Sequence, residues 1–480
     1  MGRFGAAWLT QIGIGAERSD PDQGGSAAPV PLRARLPVGE LAADAVTVLA
    51  AAMELARAGL SGAPRAAAVQ VDPERVAASF RSDQLGRIDG TPFPVWAPLS
   101  GFFAAGDGWV RTHANYAWHA AALAGVLGVD VAAPDVAARA AEVIRDRSAR
   151  ELEREVFAAG GLAVAVRDAA TWADERRDAG VSADGGAIGF GVRSSGHAAA
   201  CRALPNRAPG AFPLAGVRVL DLTRVIAGPV GTRTLASLGA DVLRVDGPNR
   251  DEPFWQWLDT GRGKRSTLLD LRARADVRTL RELVATADVV VCGARPGALA
   301  HAGVDPDQLA ADYPGAVIAS VAAWEPGGVW GARRGFDSLV QAASGIALLE
   351  SPGDGVPGKL PAQALDHSAG ALLAAGVLSL LARGTGGRVE TRLEGIAAAL
   401  LRAGAGEGSL GAGSLSEGEG AAVPAPELSP AVATPWGALQ LAGPPYRPAW
   451  QEEPEPWAGH PWGEDRPVWL ARGAAPHARP

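Results

Sequence analysis

The alternation of short apolar segments with helix-like segments over residues 213–403 most restricts the folds open to this chain of 480 residues. Strands are predicted at 217–222, 240–246, 288–293, 316–324 and 388–393, and helices at 229–239, 337–349 and 366–383. Strands that alternate with helices in this way predict a parallel sheet with crossover helices. We therefore expect an α/β fold whose large domain is Rossmann-like.

Composition and charge argue against several other classes of protein. The net charge is −7, so no excess of positive charge supports nucleic-acid binding. Cys201 and Cys292 have no CxxC spacing and predict neither a disulfide framework nor a zinc site. No apolar run reaches the roughly 18–20 uncharged residues of a membrane span, and the first residues lack the pattern of a signal peptide. We expect a cytoplasmic protein with no metal, nucleic-acid or membrane partner.

Composition also divides the chain into the sections 1–35, 36–177, 178–212, 213–403, 404–430 and 431–480. The first is rich in Gly, Pro and Ser and is predicted to be poorly ordered in part. The third and fifth have the composition of linkers, and the last holds a β-like segment and a tail. In the second, helices are predicted at 39–59 and within 114–177. Residues 55–79 echo residues 381–399 in sequence and in predicted order of elements, which suggests two related units.

Familiar catalytic and nucleotide-binding motifs are missing. The first strand of the α/β section leads into TRVIAGP (223–229) rather than GxGxxG, which argues against an NAD or FAD enzyme. Position 258 is leucine, so the GKRS element at 263–266 is not part of a P-loop. A nucleophile elbow is also absent, which argues against a serine hydrolase.

The turn Arg262–Ser266 is a compact basic element in an acidic chain. It has two interpretations. Its glycine and its cations could bind phosphate groups, or its charges could simply face water before a strand. Charge runs usually face water, so general grounds favour the second interpretation.

Asp366 follows an extended LPAQAL segment and begins a predicted helix. Aspartate is a preferred N-cap, so a structural role is the first interpretation. The same position lies at the edge of a parallel sheet where ligands bind, and an ionised carboxylate there can act as a nucleophile. The residues by themselves favour the cap. His367 is adjacent in sequence and is given no catalytic role.

The segment 214–248, LAGVRVLDLTRVIAGPVGTRTLASLGADVLRVDGP, resembles the opening of the family III CoA-transferases, the CaiB–BaiF group. Further markers of that family follow in order: GKRS with LDLR at 263–272, ADVVV and RPG within 287–297, and GFD with QAASG at 335–345. Several co-linear matches are far more specific than any one motif.

The resemblance implies a Rossmann-like large domain with a smaller α+β domain. The family's nucleophile is an aspartate that follows the QAxSG helix and a Pro-rich loop, and Asp366 stands at that position. Acyl-CoA and a small carboxylic acid would be the substrates, with no permanently bound cofactor. The positions that match the family's CoA contacts are Ile226, Ala227, Lys264, Leu269, Arg272, Gly293, Ala294, Arg295, His301, Arg334, Phe336 and Asp337.

Two other functions stay open at this point. Ile226 and Gly293 depart from the residues usual in the family, which favours a CoA-binding protein that has lost turnover. Racemases of the family usually carry a histidine where Phe336 stands, so the phenylalanine argues against a racemase but not against an acyl-CoA lyase. The retained Asp366 and Lys264 favour an active CoA-transferase.

The order of the sections differs from that of the usual family chain. Residues 36–177 resemble part of a first unit with its small domain, whereas residues 213–403 resemble a second unit without one. The segment 434–448 resembles the family's closing strand. Glu40 stands roughly where the first unit's aspartate would be, and no catalytic role is expected for it. Because the family's subunits interlock, we expect either a homodimer or an intramolecular pseudo-dimer.

Overall fold

A computed structural model describes residues 2–14, 28–61, 69–181, 189–195, 212–295, 297–328, 330–353, 355–405, 428–450 and 459–472. Its helices are Gly5–Gln11 (α1), Val38–Ser61 (α2), Pro73–Phe80 (α3), Ser82–Leu85 (α4), Ala117–Leu127 (α5), Val136–Arg145 (α6), Ala149–Ala158 (α7), Ala169–Asp178 (α8), Ala227–Ser237 (α9), Phe254–Thr260 (α10), Arg274–Thr286 (α11), Pro306–Asp312 (α12), Asp337–Ser344 (α13), Ile346–Leu349 (α14), Ala364–Ala382 (α15) and Leu393–Gly404 (α16).

The strands are Val69–Val71 (β1), Arg87–Ile88 (β2), Thr91–Pro92 (β3), Phe102–Ala105 (β4), Gly108–Thr112 (β5), Ala163–Ala165 (β6), Phe190–Ser194 (β7), Arg218–Leu222 (β8), Asp241–Asp246 (β9), Arg265–Leu268 (β10), Val289–Cys292 (β11), Val317–Ala322 (β12), Gly387–Arg392 (β13), Val432–Thr434 (β14), Gly437–Gln440 (β15) and Tyr446–Pro448 (β16). A short 3₁₀ helix covers Ala300–Ala302.

The large domain is built on a seven-stranded sheet with the order β10-β9-β8-β11-β12-β13-β7. Its first six strands are parallel, and β7 pairs antiparallel to β13 at one edge. In the central pair, Val289 of β11 lies opposite Val219 of β8. All four residues of β11 are buried, as expected for a strand that is covered on both faces. The predicted α/β fold with a parallel sheet is confirmed.

A smaller α+β domain comes from the first half of the chain. Strands β4, β5 and β6 form an antiparallel three-stranded sheet, and helices α5, α6 and α7 accompany it. The domain has its own apolar core, in which Val110 and Leu152 are fully buried. The small domain that the family resemblance implied is therefore present, upstream of the large domain.

The two halves of the chain share a helix–strand–helix arrangement. The elements α2, β1 and α3 repeat the order of α15, β13 and α16, as the echo between 55–79 and 381–399 predicted. Helix α2 packs along α15. At Gly59 the helices are so close that a Cβ would lie 2.4 Å from the carbonyl oxygen of Ala382. The pair α2 and α15 therefore joins the two halves through one continuous apolar core.

Helix α15 is the one described helix long and apolar enough to cross a membrane by length and composition alone. Its most apolar window is completely buried in the protein, which is how the core helix of a globular protein also looks. Its burial follows from its sequence, since nearly every position from Ala364 to Leu381 is small or apolar.

Three segments differ from what their composition indicated. Strand β7 lies inside the section 178–212, which had the composition of a linker, because pairing with β13 stabilises it. Helix α1 lies within residues 1–35 and buries Trp8 to 1% exposure. Strand β6 interrupts the helices of 114–177. Residues 15–27, 182–188, 196–211 and 406–427 lie outside the described residues, so the linker and order predictions stay predictions there.

Candidate active site

The strand order places a crevice between β8 and β11. The chain leaves β8 toward β9 on one side, and β11 lies on the other side, so the sheet changes direction between them. Ligands of open parallel sheets bind outside the carboxyl ends of the strands at such a point. The loop after β8 and the loop after β11 meet there, because a Cβ at Gly293 would lie 3.3 Å from the Thr223 side chain.

The loop after β8 has a strained backbone. Val225 has φ 74°, a conformation that a β-branched residue rarely adopts and that costs about 1–3 kcal/mol. Thr223 anchors the loop through its backbone N–H and its hydroxyl, which both donate to Asp221 Oδ1, at 3.0 and 2.5 Å. The loop continues into Ile226 and Ala227, which are almost completely buried at the start of α9. Val225 is thus held in place by its surroundings.

Lys264 binds the residues on both sides of this loop, at the end of β8 and in α9. Its Nζ donates to Asp221 Oδ2 at 3.1 Å, to the carbonyl oxygen of Pro229 at 2.9 Å and to Thr232 Oγ1 at 2.7 Å. Burial lowers the pKa of Lys264 to about 8, although Asp221 opposes that shift. Lys264 is fully buried and its three donors have acceptors, so it has none left for a CoA phosphate. We expect it to position the loop rather than to contact CoA.

The other cations of the basic turn Arg262–Ser266 also do not face water. The interpretation of this turn as a water-exposed charge run is therefore wrong. Arg265 is 6% exposed and its Nε and Nη2 donate to Asp241 Oδ1. Arg262 donates to the Asp259 carboxylate and to the carbonyl oxygen of Ala442. Buried acidic partners therefore hold the cations of this turn, because a charge that leaves water needs a compensating partner.

Asp366 lies in the first turn of α15 and lines a cleft beside the loop after β8. It is 5% exposed. The Asp337 carboxylate accepts the backbone N–H groups of Leu365 and Asp366 at 2.9 and 3.0 Å, and it also accepts Gln341 Nε2. Asp337 is therefore the residue that caps α15, and with its oxygens engaged we expect it to position Asp366 rather than to contact CoA. The Asp366 side chain itself does not cap the helix.

Burial and two neighbouring carboxyl groups raise the pKa of Asp366 well above its usual value. The neighbours are Asp337 and Asp83. Burial and then Asp259 raise the pKa of Asp83 to about 7, and burial raises the pKa of Asp337 to about 6. The N-terminal end of α15 favours a negative charge and partly offsets this effect at Asp366. A carboxylate that is costly to ionise and shielded from water is a reactive nucleophile when it loses its proton.

The cleft around Asp366 combines both halves of the chain. The first half contributes Asp83, Val95, Trp96, His113, Asn115 and Tyr116. The second half contributes Val225, Ile226, Trp255, Gln256, Phe336, Gln363 and Asp366. A site that is formed within one chain fits the pseudo-dimer interpretation. The homodimer interpretation stays a prediction.

Aromatic rings form one wall of this cleft. His113 stacks on Phe336 with ring centroids 3.9 Å apart, and Trp96 meets His113 edge-on at 6.1 Å. Burial lowers the pKa of His113 to about 3, with a smaller contribution from Arg111. The imidazole is therefore neutral near pH 7, and its Nδ1 has no hydrogen-bond partner within the described ranges.

Cations gather on the outer side of the crevice. Arg334 is half-buried, and burial together with Arg295 and Arg250 lowers its pKa. Arg250 also lies 4.6 Å from the ring centroid of Trp118. Such a cluster of partly exposed guanidinium groups suits a phosphate-rich ligand. The sequence pattern pointed to Arg295 and Arg334, but it missed Arg250.

The remaining predicted CoA contacts lie on the loops after β10 and β11 and around the short 3₁₀ helix. Leu269 is 4% exposed, whereas the Arg272 side chain is 74% exposed and pairs with Asp270. Gly293 and Ala294 are exposed beside Arg295, and His301 is exposed on the 3₁₀ helix. Their role in binding CoA stays a prediction.

Sequence reasoning missed the contribution of the first half to the cleft. Asp83, Trp96 and His113 carry no motif of their own, and they precede Asp366 by at least 250 residues. A signal was available in the resemblance of this section to a small domain, but that resemblance did not show which of its faces would meet Asp366. His367 follows Asp366 in the same helix turn yet stacks on Phe80 at 5.2 Å, outside the cleft lining.

Glu40 provides an internal comparison with Asp366. It is the third residue of α2, as Asp366 is the third residue of α15. Its side chain is 45% exposed and pairs with Arg3 at 3.4 Å. Glu40 therefore lacks both the burial and the cleft that surround Asp366, and the expectation of no catalytic role is consistent with this position.

The crevice at the switch point of the parallel sheet has the buried carboxylate of Asp366 on one side, and the partly exposed Arg250, Arg295 and Arg334 lie near one another. Comparison with known proteins identifies the class further, because residues 214–441 match CoA-transferase family III. This match covers a little under half of the chain.

Individual relatives also match part of the chain. A probable fatty acyl-CoA transferase of Mycobacterium tuberculosis is 34% identical over 191 residues, which cover 37% of this chain and 48% of that protein. The succinate–glutarate CoA-transferase of Agrobacterium fabrum is 32% identical over 221 residues, covering 41% and 54%. A crystal structure of a hypothetical M. tuberculosis protein matches at 33% identity and TM-score 0.37, covering 40% and 58%. The chain thus spans about half the length of the curated relatives it matches.

Proposed function

We propose that the protein is a CoA-transferase, which moves CoA between an acyl-CoA and a small carboxylic acid through covalent intermediates on Asp366. The observation that carries the proposal is the position of this carboxylate. It is buried in a cleft at the switch point of the sheet, it lies in the first turn of α15, and its pKa is raised. The match of residues 214–441 to CoA-transferase family III and the activities for which the relatives are named support the same activity.

The reaction consists of four acyl transfers that balance without ATP or metal. An Asp366 oxygen attacks the thioester carbonyl, which releases CoA thiolate and leaves a mixed anhydride. The thiolate attacks the aspartyl carbonyl, which releases the first acid and leaves an aspartyl-CoA thioester. The second acid attacks that thioester, again giving an anhydride and thiolate. The thiolate then attacks the new acyl carbonyl, which regenerates the Asp366 carboxylate.

The protein contributes positioning, exclusion of water and stabilisation of developing charge. Asp366 is 5% exposed, so the anhydride and the thioester are shielded from hydrolysis. Asp337 fixes the start of α15 and so the attack position of Asp366. The N-terminal backbone N–H groups of α9, at Ala227 and Gly228, have no carbonyl of the preceding turn to bind, and we propose them as donors to the oxyanion.

The test is intact-protein mass spectrometry after incubation with acetyl-, propionyl-, hexanoyl- and succinyl-CoA. We expect an acyl or CoA mass adduct that hydroxylamine removes and that is absent from Asp366→Ala. The matched control is Glu40→Ala, which removes the exposed counterpart of the same helix position and should keep the adduct. Binding of CoA without an adduct from any donor would instead indicate a CoA-binding protein without turnover.

The pH dependence of adduct formation should respond to Asp83. Attack needs ionised Asp366, so the rate should rise with pH as Asp366 loses its proton. Above pH 7, where Asp83 is largely ionised, its negative charge opposes that ionisation. Asp83→Asn removes the charge and lowers the pKa of Asp366, so the acid limb of the rate profile should move to lower pH.

The measurement is the rate of adduct formation between pH 5 and 9, followed by rapid quenching and mass spectrometry. Glu142→Gln, a change at an exposed position on α6, is the control for a general change in net charge. A profile of Asp83→Asn that coincides with that of the unmodified protein would show that Asp83 does not act on Asp366.

A further inference from the structure

The charge of the cleft lining indicates which acid the protein takes. Two carboxyl groups, Asp83 and Asp366, face the cleft, and the part of the chain that the structure describes contributes no lysine or arginine to its lining. The other lining groups are aromatic, aliphatic or neutral polar. A neutral donor is available at Gln256 Nε2, which is buried without a hydrogen-bond partner among the described residues. The lining can therefore hold the reacting carboxylate of a substrate acid, but it has no cation to pair with a second carboxylate on the same acid.

One cation, Arg111, packs against the aromatic wall of the cleft. Arg111 is 6% exposed, and its guanidinium carbon lies 4.8 Å from the ring centroid of Trp96 and 5.0 Å from that of Phe102. Its Nε has no hydrogen-bond partner within the described ranges. Trp96 lines the cleft, whereas Arg111 does not, and the Arg111 guanidinium packs against the Trp96 ring.

We infer that the protein selects acids whose chain beyond the reacting carboxyl group is uncharged and apolar, alkyl or aromatic, and that Trp96 enforces this choice by covering Arg111. The inference rests on the proposed function and specifies its substrate class. The same cleft receives the acyl group of the donor and that of the acceptor in turn, so the selectivity applies to both acids.

The physical reason is the cost of bringing a second carboxylate into the cleft. That group would lose its hydration, would meet no cation, and would lie close to the carboxyl groups of Asp83 and Asp366. The aromatic wall of Trp96, His113 and Phe336 gives an apolar chain good packing instead. Dicarboxylates, which the names of several relatives mention, should therefore be poor substrates here.

The test compares two acids of equal chain length that differ in one distal carboxylate. With purified full-length protein and hexanoyl-CoA as donor, we expect acetate and hexanoate to exchange, and hexanoate to exceed adipate in kcat/KM by on the order of 10²-fold. Exchange is followed by isotope-labelled acid, and the Asp366 adduct is measured in the same samples. A preference for adipate with an intact adduct would overturn the selectivity while leaving the transferase. Absence of both exchange and adduct would overturn the two together.

Trp96→Ala should uncover Arg111 and raise the adipate-to-hexanoate ratio by about tenfold or more. Adding Arg111→Met should cancel the gain, since the gain depends on the guanidinium. Val95→Lys tests the charge argument separately and does not depend on the folding of Trp96→Ala, because Val95 is a half-buried lining residue from which a lysine can extend its amine into the cleft. An unchanged ratio in folded Trp96→Ala would overturn the assignment of Trp96, and an unchanged ratio in Val95→Lys would overturn the charge argument.

Discussion

Replacing Asp366 with asparagine should reduce CoA exchange by at least about 10³-fold, because the amide cannot form the anhydride or the aspartyl thioester. The fold should tolerate the change. The capping of α15 depends on Asp337, which binds the backbone of residue 366 and not its side chain. The variant also removes an ionisable group that burial and two neighbouring carboxyl groups make costly to charge.

Steady-state exchange of labelled acid, together with thermal unfolding, measures both effects. We expect exchange to fall to background while the unfolding temperature stays the same or rises. Glu40→Gln is the matched control, because it changes the equivalent helix position in the first half of the chain and should retain full exchange. Residual exchange within tenfold of the unmodified protein would mean that another group carries the acyl chain.

The sequence predicted the large domain well because its elements are regular. The strands β8, β9, β11, β12 and β13 lie within one or two residues of the predicted segments, since short apolar runs between helices can be read locally. Strand β7 could not be found in this way. Its stability comes from pairing with β13, about 200 residues away, and its composition of Phe, Gly, Val, Arg and Ser resembles a loop.

Only the part of the candidate site that comes from the second half of the chain could be predicted from the sequence. Asp366, Ile226, Arg295 and Arg334 follow motifs that a family resemblance can transfer to this chain, whereas Arg250 does not. The roles of the buried charges could not be seen, because burial and partners decide whether a cation binds a ligand or holds a loop. Lys264 illustrates this. The sequence offered either phosphate binding or exposure to water, and the structure places it in neither environment.

Lys264→Met is expected to have the largest effect on stability, a loss of about 3–5 kcal/mol in the free energy of unfolding. Methionine fills the same channel but leaves the fully buried Asp221 without its ammonium partner. Burial alone would raise the pKa of Asp221, and Lys264 and Arg244 together hold it below its usual value. Without Lys264, the charge of Asp221 is therefore poorly compensated.

Urea unfolding of Lys264→Met, of a control variant and of a double variant measures this loss of stability. Arg154→Met is the control, because the exposed pair of Arg154 with Glu151 should contribute little to stability. The double variant Lys264→Met with Asp221→Asn should recover a large part of the loss, since it removes the charge that was left unpaired.

The same ion pair also connects stability to the site. Lys264 and Asp221 hold Thr223, Pro229 and Thr232, which flank the strained Val225 on both sides. If the pair holds this backbone in place, the folded Lys264→Met variant should form the Asp366 adduct more slowly at saturating acyl-CoA, while Arg154→Met should not. Equal rates in the two variants would mean that the loop keeps its conformation without the lysine, and that the pair contributes to folding alone.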